Sequence, residues 1–181
     1  MPASMLHPIF NRCAIAAVAF DLHDTLVCYP DINRFLHAKL PTLCRELDPK
    51  NMEKIWRDRI AHEPIWPAHE EKKGDLRIPL SYREIWIQRF VDGGVPKKES
   101  KMLAEAWASE VSKAPALDGA IETVRVIGQS LPVAILSNGD ADYVHSAINL
   151  NGFSVQTIIA SQTAGSAKPA GSIFRLTARE L

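Results

Sequence analysis

The stretch that decides the fold is Val18-Ala19-Phe20-Asp21-Leu22-His23-Asp24-Thr25-Leu26-Val27. The apolar run from Cys13 to Phe20 is typical of a parallel β-strand that is buried on both faces. Asp21 follows where this strand would end, and the carboxyl ends of parallel strands are where open α/β sheets bind their ligands. The stretch therefore predicts an acid at the ligand-binding edge of a parallel sheet.

Composition and charge narrow the class of protein. Of the 181 residues 46% are hydrophobic and 23% charged, which is ordinary for a soluble globular protein. Lys and Arg total 21, as do Asp and Glu, so we expect neither nucleic acid nor a membrane as a partner. The three cysteines form no CxxC pair, which fits a reducing compartment. We expect a cytoplasmic protein, because no apolar stretch approaches the ~20 residues of a membrane span.

The segment 31–114 is predicted to be helical, with turns but no convincing strand. Ser81 and Glu84 have the spacing of a capping box, and Pro96 suits the first turn of the next helix. All four tryptophans fall in this segment, namely Trp56, Trp66, Trp86 and Trp107. We expect them to form the core of a helical subdomain, with a substrate pocket as the alternative. His62 and His69 are expected at its surface.

From Ala116 onward the pattern alternates between helix and strand. Strands are predicted over 131–136 and 155–160, and helices over 121–127, 141–150 and 173–181, the first of them capped by Asp118. Such alternation predicts parallel βαβ units. The predicted fold is therefore an α/β protein whose Rossmann-like core, residues 1–30 and 115–181, is interrupted by a helical insert over 31–114.

Three short motifs occur in order near predicted strand ends: Asp21-Leu22-His23-Asp24-Thr25, Ser137-Asn138-Gly139 and Lys168-Pro169. Each is weak by itself, but their joint order indicates a catalytic site. A carboxylate such as Asp21 can attack a substrate and form a covalent ester or acyl phosphate. The Ser137 hydroxyl can hold the oxygens of an anionic substrate, and the Lys168 ammonium can offset negative charge in the transition state. Thr25 can hydrogen-bond locally and fix the loop.

These motifs and their order resemble those of the haloacid dehalogenase-like hydrolases, over about residues 14–181. The resemblance implies that Asp21 is the nucleophile, that Ser137 and Lys168 bind the transferred group, and that the insert is a substrate-selecting cap. In the phosphatase branch a magnesium ion would be held by Asp21, by the backbone carbonyl of residue 23 and by acids of a fourth motif. The predicted site is thus Asp21, His23, Thr25 and Lys168 for catalysis, Ser137, Asn138 and Lys168 for substrate, and Asp21 and His23 for Mg²⁺.

His23 departs from both branches of the family that the chain resembles. The phosphatases usually have aspartate there as acid and base, and the dehalogenases have tyrosine. Imidazole has an ordinary pKa of about 6.5, which suits both proton donation and proton acceptance near neutrality. Our hypothesis is that His23 replaces the aspartate as acid and base. The alternative is a tolerated loop residue in a weak or inactive protein.

The chain ends at Leu181, before the position where the resemblance would put a fourth strand and its acidic motif. We expect a fragment of a longer product. The missing strand would also leave an apolar edge beside the first strand, and such an edge favours association, for example as a homodimer.

Three functions follow from the motifs and the resemblance. The first is a phosphatase that uses Asp21 and Mg²⁺ on a small phosphorylated metabolite. The second is a hydrolase of the 2-haloacid dehalogenase type, which would need no metal. The third is a catalytically inactive remnant that still binds a ligand. All three imply a small anionic molecule as the partner.

Overall fold

The computed structural model describes residues 15–44 and 81–181. Its elements along the chain are β1 (Val18–Phe20), α1 (Ile32–Leu43), α2 (Tyr82–Asp92), α3 (Lys97–Val111), α4 (Ala120–Gly128), β2 (Val133–Ser137), α5 (Ala141–Asn151), β3 (Thr157–Ala160), α6 (Ser161–Ala164) and α7 (Gly171–Glu180). Among the described elements, helices α1 to α4 come between β1 and β2, and strands then alternate with helices. The predicted α/β class is confirmed.

The described strands form one parallel sheet in the order β1-β2-β3. Strand β2 lies in the centre, and all five of its residues are buried. Phe20 pairs with Ile135, so β1 and β2 end at the same edge, where Asp21 follows β1 and Ser137 is the last residue of β2. The predicted strand from Cys13 was too long: residues 15–17 are not strand, and Cys13 and Ala14 lie outside the described residues.

Helix starts agree with the sequence patterns at two of three places. The Ser81 hydroxyl accepts a hydrogen bond from the backbone N–H of Glu84 (3.4 Å) and caps α2. Pro96 directly precedes α3. The prediction that Asp118 caps α4 is wrong, because the helix begins after Gly119 instead and no side chain caps it. Gly119 has a φ of 77°, a left-handed turn that glycine adopts without strain.

The main core joins the sheet to the helices that follow β1. Trp86 and Trp107 are 2% and 0% exposed and pack against each other with ring centroids 5.4 Å apart. For these two tryptophans the core interpretation is confirmed, whereas Trp56, Trp66, His62 and His69 lie outside the described residues. Buried side chains from the insert and from the sheet form one cluster, so the predicted domain boundaries stay a prediction. No helix among the described residues has the length and apolar character needed to cross a bilayer.

Asn151, at the end of α5, binds the segment 114–116, the junction where the chain returns from α3 to the sheet. Its side-chain oxygen accepts a hydrogen bond from the N–H of Ala116 (2.7 Å), and its amide nitrogen donates to the carbonyl of Ala114 (2.9 Å). At the same junction the N–H of Cys28 donates to the carbonyl of Pro115 (2.8 Å). The outgoing and returning segments are therefore tied together beside the sheet.

Replacing Asn151 by alanine should destabilise this junction. The change leaves the partly buried N–H of Ala116 and the carbonyl of Ala114 without their partner, which typically costs about 1–3 kcal/mol. Urea unfolding of Asn151→Ala should show this loss in the free energy of unfolding. Asn149→Ala, at an exposed position two residues earlier, serves as the control. Equal stabilities of the two variants would contradict the role of Asn151.

Candidate active site

Asp21 and Lys168 meet at the carboxyl end of β1. One carboxylate oxygen of Asp21, Oδ1, lies 2.7 Å from the Lys168 ammonium and accepts a hydrogen bond from the N–H of Leu22 (2.7 Å). The ammonium also donates to the carbonyl of Leu136 in β2 (3.1 Å). The Asp21 side chain is 44% exposed and therefore accessible to a substrate. The structure thus brings the first and third sequence motifs into contact.

The second motif lies beside them at the end of β2. Ser137 is buried and lines the same cavity as Asp21. Both ends of the Asn138 amide bind the backbone of Lys168: its oxygen accepts from the N–H (2.7 Å) and its nitrogen donates to the carbonyl (3.0 Å). Asn138 therefore positions Lys168, a role that the sequence did not indicate. Its predicted contact with substrate stays a prediction.

Ser161 was missed by the sequence analysis. It is buried at the start of α6, where its hydroxyl accepts from the N–H of Gly139 (2.9 Å) and donates to the Gly139 carbonyl (3.3 Å). Gly139 itself has no room for a side chain, since a Cβ there would lie 2.5 and 2.8 Å from ring carbons of Tyr143. The loop after β2 is thus held on one side by Ser161 and covered on the other by Tyr143.

A cavity of about 290 Å³ opens in front of Asp21. Nine residues line it: Asp21, His23, Asp24, Tyr29, Tyr82, Ser137, Asn138, Tyr143 and Lys168. Five of the six predicted site residues are among them, but Thr25 is exposed and lies outside this lining. The three tyrosines were not predicted, because they come from a loop, from α2 and from α5, and only the folded chain brings them together.

Asp24 makes a side-chain hydrogen bond within the loop after β1, a role that the sequence analysis predicted for Thr25. Asp24 adopts a left-handed conformation with φ 58°, which aspartate tolerates better than most residues. Its carboxylate accepts a hydrogen bond from the N–H of Tyr29 (3.1 Å). This contact closes the loop and places Tyr29 at the cavity.

A second, larger cavity of about 610 Å³ reaches Asp21 and Lys168 from the side of α7. Apart from these two residues its lining is almost entirely apolar, the exception being Thr177. The hydroxyl of Thr177 donates to the carbonyl of Ile173 (2.9 Å). The polar groups that suit substrate chemistry are therefore concentrated in the smaller cavity.

His23 is largely buried between aromatic rings. Its ring centroid lies 5.4 Å from that of Tyr29 and 5.9 Å from that of Tyr143. Burial lowers the pKa of His23 to about 4, against the opposing effect of the carboxylates of Asp21 and Asp24. Its Nε2 atom is buried without a hydrogen-bond partner among the described residues.

The lowered pKa changes what His23 can do. At pH 7 a ring with a pKa of about 4 is neutral. A neutral imidazole can accept a proton, but it has none to donate from an imidazolium. At neutral pH the hypothesis therefore lacks the proton that its acid half needs, and the base half stays a prediction.

The described residues do not by themselves complete a magnesium site. Mg²⁺ prefers six oxygen ligands and usually takes one or two carboxylates from a protein. Here Oδ1 of Asp21 is paired with Lys168, and one carboxylate oxygen of Asp24 binds the N–H of Tyr29. Within residues 15–44 and 81–181, no three His, Cys, Asp or Glu side chains form a group suited to a metal ion. Asp21 and the carbonyl of His23 remain predicted ligands.

The lowered pKa of His23 predicts a loss of stability on acidification. The unfolded chain takes up the proton at about pH 6.5, whereas the folded site resists it down to about pH 4. The free energy of unfolding should therefore fall by roughly 3 kcal/mol as the pH drops through this window. Urea unfolding of the wild type and of His23→Gln across the window measures the effect. The variant should lack this part of the pH dependence; identical pH profiles would refute the assignment.

Comparisons with known proteins show which solved structures have a similar fold. No family model and no curated protein matches the chain. Among solved structures, it is similar to the defluorinating L-2-haloacid dehalogenase Rha0230, with a TM-score of 0.64 and 18% identity over 91% of this chain and 68% of that one. The L-2-haloacid dehalogenase RSc1362 matches with a TM-score of 0.57 and 19% identity, over 92% and 73% of the two chains.

A third similar structure is the L-2-haloacid dehalogenase from Xanthobacter autotrophicus with chloropropionic acid covalently bound. Its TM-score is 0.56 and its identity 16%, over 93% of this chain and 65% of that one. At such identities the likeness concerns the fold. Together with the parallel sheet and the acid that follows its first strand, it shows that this chain has the haloacid dehalogenase-like fold.

Proposed function

We propose that the protein is a hydrolase of the dehalogenase type, in which Asp21 displaces halide from a small 2-halo carboxylic acid. The observation that carries the proposal is the exposed Asp21 carboxylate with its Oδ1 held 2.7 Å from the Lys168 ammonium. Beside it, burial lowers the pKa of His23 to about 4, which makes this ring neutral at pH 7. An alkoxide that leaves a phosphate ester needs a proton donor, whereas a halide ion leaves without one. The site therefore fits halide displacement better than the phosphatase reaction that the sequence favoured.

In the first step a carboxylate oxygen of Asp21 attacks the carbon that carries the halogen. The carbon–halogen bond breaks, the halide leaves with the bonding pair, and an ester of Asp21 forms. Oδ1 is held by the Lys168 ammonium and by the N–H of Leu22, both at 2.7 Å. This leaves Oδ2 as the attacking atom and makes Oδ1 the carbonyl oxygen of the ester.

In the second step water attacks the ester carbonyl carbon. Neutral His23 accepts the proton from this water, and negative charge develops on Oδ1. The Lys168 ammonium and the N–H of Leu22 already contact this oxygen, so they stabilise the charge without rearrangement. Collapse breaks the bond between the ester carbonyl carbon and the substrate oxygen, and the imidazolium formed at His23 returns its proton to that oxygen, so a 2-hydroxy acid leaves. The proton of the new Asp21 carboxyl group passes to solvent, which restores the carboxylate.

The charge of the cavity supports a monoanionic substrate. Among the described residues that line it, Lys168 is the one cation, paired with Asp21, and the lining holds two carboxylates, those of Asp21 and Asp24. A phosphate dianion would add more negative charge than a single carboxylate would, and burying uncompensated charge is costly. The volume of about 290 Å³ suits an acid with a short side chain.

The phosphatase remains a second candidate because Ser137 and Lys168 line one cavity. A hydroxyl and an ammonium are groups that hold phosphate oxygens. That reaction would require a magnesium ion and a proton donor in addition to the groups described above.

Halide release tests the proposal directly. The wild type should liberate chloride from 2-chloropropionate in the presence of EDTA, and Asp21→Asn should abolish the reaction because the nucleophile is lost. Asp118→Asn, at an exposed carboxylate outside the cavity, is the control. Phosphate release from p-nitrophenyl phosphate that is lost with EDTA and regained with Mg²⁺ would favour the phosphatase instead. Neither activity, with retained binding of either compound, would indicate the inactive remnant.

Removing the base should separate the two chemical steps. His23→Ala should still form the ester but hydrolyse it at least tenfold more slowly, since general-base catalysis typically contributes about 10²–10⁴-fold. Halide would then appear as a burst of about one equivalent per active site. Mass spectrometry should find the mass of the added carboxyalkyl group on the peptide that contains Asp21. An alanine variant that turns over as fast as the parent would exclude His23 as the base.

A further inference from the structure

Asp140 is a fully buried carboxylate, 0% exposed, in the loop that follows β2. It occupies the N-cap position of α5, yet its side chain makes no hydrogen bond to the N-terminus of that helix. The carboxylate instead accepts hydrogen bonds from α2, from the N–H of Tyr82 (2.7 Å) and the N–H of Arg83 (3.2 Å). It also accepts one from the hydroxyl of Ser81 (3.3 Å). Asp140 thus caps a helix from another part of the chain.

Arg83 supplies the countercharge. Its guanidinium lies 2.8 Å from the Asp140 carboxylate and also pairs with the exposed carboxylates of Asp142 (2.7 Å) and Glu105 (3.0 Å). A buried carboxylate is costly unless it is paired and hydrogen-bonded. The positive end of α2 and the guanidinium both compensate Asp140, so the carboxylate and the first turn of α2 hold each other in place.

Tyr82, whose backbone N–H binds Asp140, lines the cavity in front of Asp21. Its hydroxyl meets the hydroxyl of Tyr29, and its ring centroid lies 5.6 Å from that of Tyr143. Burial raises the pKa of Tyr82 to about 12, so the hydroxyl stays neutral at pH 7. A shift of the first turn of α2 would therefore move a wall of the cavity.

We propose that Asp140 is a positioning residue that fixes the first turn of α2 against the segment 137–140 and thereby determines the position of Tyr82 beside the substrate. The proposal rests on the proposed function in one respect, that this cavity binds the substrate. The same segment begins with Ser137, which also lines the cavity. One short segment therefore positions both the Ser137 hydroxyl and the Tyr82 ring. Asp140 acts through Tyr82 and does not touch the reacting atoms.

The test compares two carboxylates that share one guanidinium. Asp140→Ala should raise KM for 2-chloropropionate about tenfold or more and change kcat less, because it removes binding through Tyr82 and leaves the groups around Asp21 in place. Asp142→Asn, at the exposed partner of the same Arg83, should leave both constants unchanged. Asp140→Asn should give a KM between those of the wild type and of Asp140→Ala, because the amide oxygen can still accept from the N–H groups of α2. If Asp140→Ala fails to fold, the KM of Asp140→Asn tests the proposal in its place.

A double-mutant cycle distinguishes positioning from a general loss of stability. If Asp140 acts through Tyr82, then Asp140→Ala should have little further effect on KM in a Tyr82→Ala background. Effects on KM that multiply independently would overturn the proposal. So would a loss of kcat that Asp142→Asn reproduces.

A second measurement does not depend on activity. Hydrogen exchange at the backbone N–H groups of Tyr82 and Arg83, both bound to Asp140, should speed up at least tenfold in Asp140→Ala and stay unchanged in Asp142→Asn. In Asp140→Asn it should speed up less, because the amide keeps one accepting oxygen. Unchanged exchange in the Asp140 variants would overturn the proposal whatever the activity. Faster exchange in a protein that releases no halide would support the seating of α2 and count against the proposed function alone.

Discussion

The parallel pairing of β1 with β2 is the constraint on which the rest of the structure depends. Because Phe20 lies opposite Ile135, Asp21 and Ser137 emerge at one edge of the sheet, although more than a hundred residues separate them. Lys168 joins them through its contacts with Asp21 and with the carbonyl of Leu136. A shift of β1 by one residue along β2 would move the side chains of β1 to the opposite face of the sheet, so the packing of the core and the geometry of the site are set together.

Burial then decides how the groups at this edge behave. His23 lies among tyrosine rings, and the loss of water around it outweighs the attraction of two nearby carboxylates, so its pKa falls to about 4. Asp140 is still more buried, but it faces an arginine and the first turn of α2. The two residues illustrate one rule: a buried ionisable group either becomes neutral or is paired.

Much of the fold could be predicted because its signals are local. The continuous apolar runs of β1 and β2, the cap at Ser81 and the alternation after Ala116 depend on neighbouring residues. The exact strand ends and the start of α4 could not be predicted, since a left-handed glycine at position 119 competes with the more conventional cap at Asp118. The roles of Ser161 and Asn138 were also out of reach, because serine and asparagine have the same local signature in any turn.

The sequence by itself determined the α/β class, the order of the three motifs and the chemical types of the predicted catalytic groups, a carboxylate, a hydroxyl and an ammonium. Only the tertiary structure decided that His23 is neutral, that tyrosines from three separate segments wall the cavity and that Asp140 caps α2. The physical reason is that residue type and spacing are properties of the chain, whereas a pKa or a cavity depends on which distant groups displace water from a side chain. The predicted catalytic groups could thus be recognised from the motifs, but the protonation state of His23 and the residues that line the cavity depend on the folded structure.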